Sequence, residues 1–232
     1  MMTLREHIRR FTGTPSPFAT EPALEPIYRA LFQRELAKIG EVDDFFPVGG
    51  AANYSLLYLI LQVGVQLRPR SVLDIGAGQS SRLWSMLHRA GYVGDVLTLE
   101  SDASWGARIA AQVDHEVLVT PLASTRAGGR ASLTYDWPRA RAGRRFDAMV
   151  CDGPNGTRRH SRSGILAMLD DTLPDDVVLI LDDAERPGEQ DTVTAIHKRL
   201  QQLGADYGVG VTRAAKTQAI FATGAYRPAI YL

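Results

Sequence analysis

"VLDIGAGQSS", Val72 to Ser81, decides how this chain is read. An apolar strand runs straight into Gly76 and Gly78, and a serine pair follows. A strand that turns on glycines into a helix gathers backbone N–H groups and a helix N-terminus at one corner, where a nucleotide-like ligand can sit. Three ligands are open at this point: a dinucleotide, a nucleoside triphosphate, or a nucleoside without phosphates.

The surrounding pattern repeats the same theme. Apolar strands are expected at 71–75, 95–100, 115–120, 146–152 and 176–183, with helices between them at about 80–89, 103–113, 162–171 and 188–203. Strands apolar on both faces belong to a parallel sheet covered by helices. Right-handed crossovers then give an α/β, doubly wound, mostly parallel seven-stranded sheet of Rossmann-like type. The end differs: "YGVGVTR" and "TQAIFATG" are joined by "AAK" with no helix between them, which predicts a C-terminal antiparallel hairpin. "ASLTYDW" reads as an extended stretch. Residues 46–232 form the main domain on this reading. Residues 1–45, split by "TGTPSPFATEP", form a helical arm that packs on the core, covers it as a lid, or joins two copies in a homo-oligomer.

Composition narrows the function classes. Lys plus Arg and Asp plus Glu number 26 each, so no overall basic footprint favours nucleic acid as a partner. Cys151 is the single cysteine, which excludes an intrachain disulfide and a cysteine-rich metal site. The greasiest run, 56–67, is too short to span a bilayer and carries glutamines, so it is expected to be a buried helix rather than a membrane segment. With no apolar signal core at residues 1–18, a cytoplasmic location is expected.

Two absences sharpen the corner. No lysine follows the loop, so it is not a phosphate-clamping P-loop. Ser81 stands where a dinucleotide site has its third glycine. Gly76 and Gly78 allow a tight turn and close approach, and Ser80 or Ser81 is expected to cap the next helix. Glu100 ends the strand 95–100 and is placed to accept hydrogen bonds from ribose hydroxyls. Asp74, in the same corner, suits an ammonium group, directly or through water.

With these features the chain resembles the class I S-adenosylmethionine-dependent methyltransferases. The resemblance rests on "VLDIGAGQSS", "LTLESD" and "FDAMVCDGP", and on the final hairpin. It implies S-adenosylmethionine as cofactor. Gly76, Ala77 and Gly78 then lie under its methionine part, Glu100 with Ser101 beside it at the ribose, and Leu122 and Ala123 against the adenine.

Asp152 ends one strand, and Asp182 and Asp183 end its expected neighbour. Three convergent carboxylates repel, and a divalent cation such as Mg²⁺ is one way to compensate them. Such an ion also lowers the pKa of a bound hydroxyl. The set is similar to that of the metal-dependent catechol-type O-methyltransferases, except that Asp183 stands where an asparagine is usual. "DGP" and "DDAERPGE" also resemble a bacterial group that modifies sugars. Adjacent strand residues face opposite ways, so Asp182 and Asp183 converge only if the strand has already turned. Otherwise one of them pairs with Arg186 or caps a helix. Asp152 binds metal or acts as a base. His160 is either a proton acceptor in the substrate cleft or a solvated loop residue. Arg158, Arg159 and Arg162 suit an anionic substrate, or a solvated helix start.

The leading expectation is O-methylation of a small hydroxylated molecule, a sugar or natural-product intermediate among them. An NAD(P)-dependent oxidoreductase is the rival, opposed by the missing third glycine, the final hairpin, and the lack of a Tyr-x-x-x-Lys pair. A non-catalytic cofactor-binding protein is the third reading. Base methylation of nucleic acid is disfavoured, because "DGPN" replaces an N-P-P-Y-type loop.

Overall fold

The computed structural model describes residues 16–127, 129–169, 173 and 175–232. After a 3-10 turn at Pro22–Leu24, the chain forms α1 (Glu25–Lys38), α2 (Tyr54–Gln62, continued by a π turn to Leu67), β1 (Ser71–Ile75) and α3 (Gln79–Arg89). Next come β2 (Asp95–Glu100), α4 (Ala103–Ala110), β3 (Glu116–Val119), β4 (Ala123–Ala127), β5 (Arg130–Thr134) and α5 (Trp137–Arg141). The last part holds β6 (Ala148–Cys151), a 3-10 segment at Ser163–Met168, β7 (Val178–Leu181), α6 (Pro187–Gln202), β8 (Tyr207–Arg213) and β9 (Thr217–Thr223).

Seven strands make one sheet in the order β3-β2-β1-β6-β7-β9-β8. All neighbours are parallel except those of β9, which is antiparallel to both β7 and β8. The chain enters the sheet at β1 and winds first to one side and then to the other. The carboxyl ends of β1, β2, β6 and β7 therefore share one edge, where open α/β sheets bind ligands.

Alternate residues feed two cores. Val72, Val96, Val150 and Ile180 face α1, α2 and α3, whereas Leu73, Leu97, Met149 and Leu179 face α5, the 3-10 segment and α6. This period of two, apolar on both sides, is the buried parallel sheet expected from the apolar strand runs.

Two local expectations change. The stretch around "ASLTYDW" forms β5 only up to Thr134, paired with β4 in a separate two-stranded sheet. The helix expected at 162–171 is the shorter 3-10 segment. A Cβ on Gly164 would lie 2.2 Å from Thr134 Oγ1, so this segment sits tightly on the β4–β5 hairpin.

The described part of the N-terminal arm is packed on the domain. Phe32 and Leu36 of α1 have no exposed surface and belong to the α2–α3 core. Glu25 accepts hydrogen bonds from Tyr54 N (2.6 Å) and Asn53 Nδ2 (2.7 Å), which ties α1 to the start of α2. The charged stretch before the Pro/Thr-rich break lies outside the described residues. Among those described, no helix is long and apolar enough to cross a membrane.

Candidate active site

The glycine corner is built by backbone contact. Gly76 has φ +100°, and a Cβ there would lie 3.0 Å from Gly153 N. A Cβ on Gly153 would lie 2.8 Å from Gly76 Cα and 2.8 Å from Tyr135 Oη. The loops after β1 and β6 thus touch through glycines that nothing larger can replace. At Gly78, by contrast, a Cβ would meet no atom within 4 Å. That open space belongs to a cavity of about 650 Å³, which Gly76, Ala77, Gly78 and Ser80 line. The volume falls within the range of small-molecule sites.

Neither serine caps α3. Gly78 is the capping residue, and Ser81 reaches back from the first turn: its Oγ accepts from Gly78 N (3.0 Å) and donates to Asp74 Oδ2 (2.6 Å). Thr98 Oγ1 also donates to Asp74 Oδ2, at 3.1 Å. Asp74 is fully buried, and that burial raises its pKa to about 6. Asp74 and Ser81 do not line the cavity. Where ligand contact is expected from the sequence, the two side chains bond to each other beneath the loop, at the start of α3.

Glu100 and Ser101 do line it. Glu100 Oε2 accepts from Ala77 N (3.1 Å), and Oε1 accepts from Ser101 N (2.5 Å) and Asp102 N (2.8 Å). These bonds lock the carboxylate between the loops after β1 and β2. Asp102 caps α4 through Trp105 N (2.8 Å), and Trp105 Nε1 donates to Ala77 O (2.6 Å). Leu122 and Ala123 do not line the cavity, because the chain leaves the sheet edge there to form β4. Trp105 and Tyr135 supply aromatic walls instead, and Phe46, Val48 and residues 50–52 close another side. These residues carry no sequence motif. The Trp105 indole three residues beyond "ESD" was the one available signal.

Asp152, Asp182 and Asp183 converge, with carboxylate oxygens within 4.8 Å of one another. The strand has turned by then: β7 ends at Leu181, and Asp183 has φ +59°. Nitrogen donors already serve these oxygens. Lys216 Nζ lies 2.9 Å from Asp182 Oδ2 and 3.3 Å from Asp183 Oδ1. Arg162 Nη2 lies 3.2 Å from Asp152 Oδ1 and 2.7 Å from Asp183 Oδ2. Gln218 Nε2 donates to Asp182 Oδ1 (2.7 Å), and Arg186 Nη2 lies 2.9 Å from Asp183 Oδ1. The donor set does not fit a divalent ion. Asp182 is held through both oxygens, Asp183 faces nitrogens on both and Asp152 is held through Oδ1, and two fixed cations, Lys216 and Arg162, stand where an ion would add further positive charge.

The cluster splits the carboxylates electrostatically. Burial and the neighbouring Asp182 push the pKa of Asp152 well above the usual carboxylate range. Burial also opposes ionisation of Asp182, but Lys216 and Arg162 outweigh it and hold that carboxyl below its ordinary value. Asp152 is the member of the three that lines the cavity.

His160 stands elsewhere. It lines a second cavity with Trp137, Ser163 and Asp191, and no residue lines both cavities. Its backbone N donates to Asp191 Oδ2 (3.0 Å). The loop folds back onto α6 through Asp191, so His160 stands apart from the cleft at the glycine corner. Arg159 pairs with Asp191 too, at 2.5 Å, and Arg162 is absorbed by the aspartates, so neither is presented to an anionic substrate in that cleft.

The sheet order and the final antiparallel strand are those of the Rossmann-like methyltransferase fold. The chain is similar to a precorrin-6y C5,15-methyltransferase from Geobacter metallireducens, with a TM-score of 0.51 and 16% identity over 78% of this chain and 96% of that one. It is also similar to an SAH-bound methyltransferase from Podospora anserina, with a TM-score of 0.50 and 12% identity over 97% and 98% of the two chains. No family model and no curated protein matches the sequence.

Proposed function

We propose that the chain is an S-adenosylmethionine-dependent methyltransferase acting on the hydroxyl of a small molecule such as a sugar or natural-product intermediate. One observation carries the reading. A single cavity is lined by the Gly76–Gly78 loop, by Glu100 and by Asp152, so a cradle for a nucleoside and a carboxylate of raised pKa share one space.

The open space at Gly78 fits a bound cofactor. S-adenosylmethionine, when bound, supplies a methyl group on a positively charged sulfur. Gly76, Ala77 and Gly78 approach it through their backbone, and Glu100 offers lone pairs to its ribose hydroxyls. Trp105 and Tyr135 give flat apolar surface. Asp152 accepts the proton of the acceptor hydroxyl as the oxygen takes the methyl group, the work of a general base. The wall of Phe46 and Val48 excludes water from part of the opening.

Calorimetric titration with S-adenosylhomocysteine and with NAD separates this reading from an oxidoreductase. Saturable binding of the first and none of the second is expected. Preference for NAD would overturn it. Transfer of a radiolabelled methyl group to a panel of hydroxylated acceptors then separates an enzyme from a non-catalytic binder.

A further inference from the structure

The turn between β8 and β9, Ala214 to Lys216, is anchored to the loop after β7. Ala184 N donates to Thr217 O (2.7 Å), and Thr217 N donates to Glu185 Oε2 (2.8 Å). This anchoring carries the Lys216 side chain over the end of β7, where it is 13% exposed against fully buried Asp182. From the other side comes Arg162, 3% exposed, with φ +57°. That left-handed backbone, unusual for a residue with a long side chain, aims the guanidinium between Asp152 and Asp183. Arg162 Nη1 also donates to Asp182 O (2.9 Å). Two chain segments far apart in sequence thus deliver two fixed cations to one group of three aspartates.

We propose that Lys216 and Arg162 are resident counter-cations that take the place of a divalent ion in this site, with Lys216 as the positioning residue that keeps Asp182 and Asp183 turned away from the cavity and leaves Asp152 facing it. The proposal rests on the methyltransferase reading for the purpose of the site, but its charge balance stands on the contacts alone. Lys216 neutralises Asp182 and shares Asp183. Arg162 shares Asp183 and holds Asp152. Arg186, about half exposed, completes the shell at Asp183. A divalent ion entering this group would have to displace ammonium and guanidinium groups that cannot leave, since both belong to the chain. Removing Lys216 does the reverse: it frees Asp182 Oδ2 and leaves Asp183 Oδ1 to the half-exposed Arg186 alone, beside Asp152, at a spacing a hydrated divalent ion can bridge.

The test uses Mn²⁺ as probe on the full chain, read by electron paramagnetic resonance and by thermal unfolding. The wild-type chain is expected to bind no stoichiometric Mn²⁺ and to keep its Tm in EDTA. Lys216→Ala and the bulkier neutral Lys216→Gln are expected to unfold at lower temperature and to regain part of that loss as Mn²⁺ rises, with one ion bound. Lys216→Arg is expected to ignore Mn²⁺ as the wild type does. Stoichiometric Mn²⁺ binding by the wild type that Asp182→Asn abolishes would overturn the proposal. So would neutral variants that fold, bind S-adenosylhomocysteine and remain indifferent to Mn²⁺. If neither neutral variant folds, the wild-type measurement decides. Calorimetry with S-adenosylhomocysteine runs in parallel. Its failure in the wild type counts against the methyltransferase reading and leaves the Mn²⁺ outcome intact.

Discussion

Glu100 and Asp74 are both carboxylates at the β1–β2 corner, and their surroundings give them opposite tasks. Glu100 is held by three backbone N–H groups at the cavity wall, so it stays in place to receive a ligand. Hydrogen bonds to a charged group are worth about 1.5–3 kcal/mol each, so Glu100→Ala should weaken S-adenosylhomocysteine binding roughly 10- to 150-fold by calorimetry. Unchanged affinity would place the ribose elsewhere. Asp74 has no exposed surface, and one of its oxygens has no hydrogen-bond partner. Its folded pKa of about 6 lies above the ordinary 3.8, so the folded chain holds this proton more tightly than the unfolded chain does. The stability this group contributes is complete below pH ~4 and lost as pH rises through ~6, a difference on the order of 3 kcal/mol. Asp74→Asn removes that dependence. Denaturant titrations should show the variant gaining on the wild type between pH 4 and 6 and levelling above. A gap independent of pH would mean Asp74 does not titrate there. Asp152 is raised as well, but it faces the cavity and must be ionised to take a proton. The transfer rate should therefore climb with pH to a plateau whose midpoint lies above the carboxylate range. Asp152→Asn should lower kcat by about 10²–10⁴ with S-adenosylhomocysteine affinity intact. Equal losses in both would make Asp152 a binding group.

How far the sequence reveals an element depends on how local its causes are. The strand–glycine–helix unit at 71–89 is legible because the apolar run, the turn residues and the start of the helix adjoin one another. Glu100 is legible for the same reason, since it ends its own strand. The convergence of Asp152 with Asp182 and Asp183 follows from β6 and β7 being neighbours. Lys216 is not legible, because nothing near "AAK" says which carboxylate it will meet, and Asp182 follows the end of another strand. Nor is the β4–β5 hairpin, whose residues are mostly exposed and polar and give no clear alternation. The start of α2 is another non-local case. Asn53 caps that helix through its side chain, and Glu25 of α1 binds both Asn53 Nδ2 and the backbone of Tyr54. Gln218 extends this contact to the site, since it donates to Asn53 Oδ1 (3.3 Å) and to Asp182. Glu25→Ala strips the helix start of its partner and should cost about 1–3 kcal/mol in denaturant unfolding. A loss within ±0.5 kcal/mol, the range of ordinary surface changes, would show that α2 is held by packing alone.

Among the described residues, the N-terminal segment reaches both the core and the site. Phe32 and Leu36 fill the same core as Leu57, Val72 and Trp84. Upstream of α1, Glu21 N donates to Ala214 O (2.9 Å), Arg213 binds Glu21 Oε1 (2.8 Å), and Thr217 Oγ1 donates to Phe18 O (3.2 Å). These contacts clamp the β8–β9 turn that presents Lys216. A chain that begins at Phe46 keeps every residue of the cavity wall but loses this clamp, the α2 partner and two fully buried side chains. Emptying each such core position costs about 2–5 kcal/mol, and a domain has only about 5–15 kcal/mol in all. The shortened chain should therefore lose its cooperative thermal transition, bind a hydrophobic dye, and fail to bind S-adenosylhomocysteine. Thermal unfolding followed by near-ultraviolet circular dichroism checks this directly. A shortened chain that melts cooperatively near the full-length temperature would make residues 16–45 an appendage, and the α1 contacts would then have to be counted as incidental to folding.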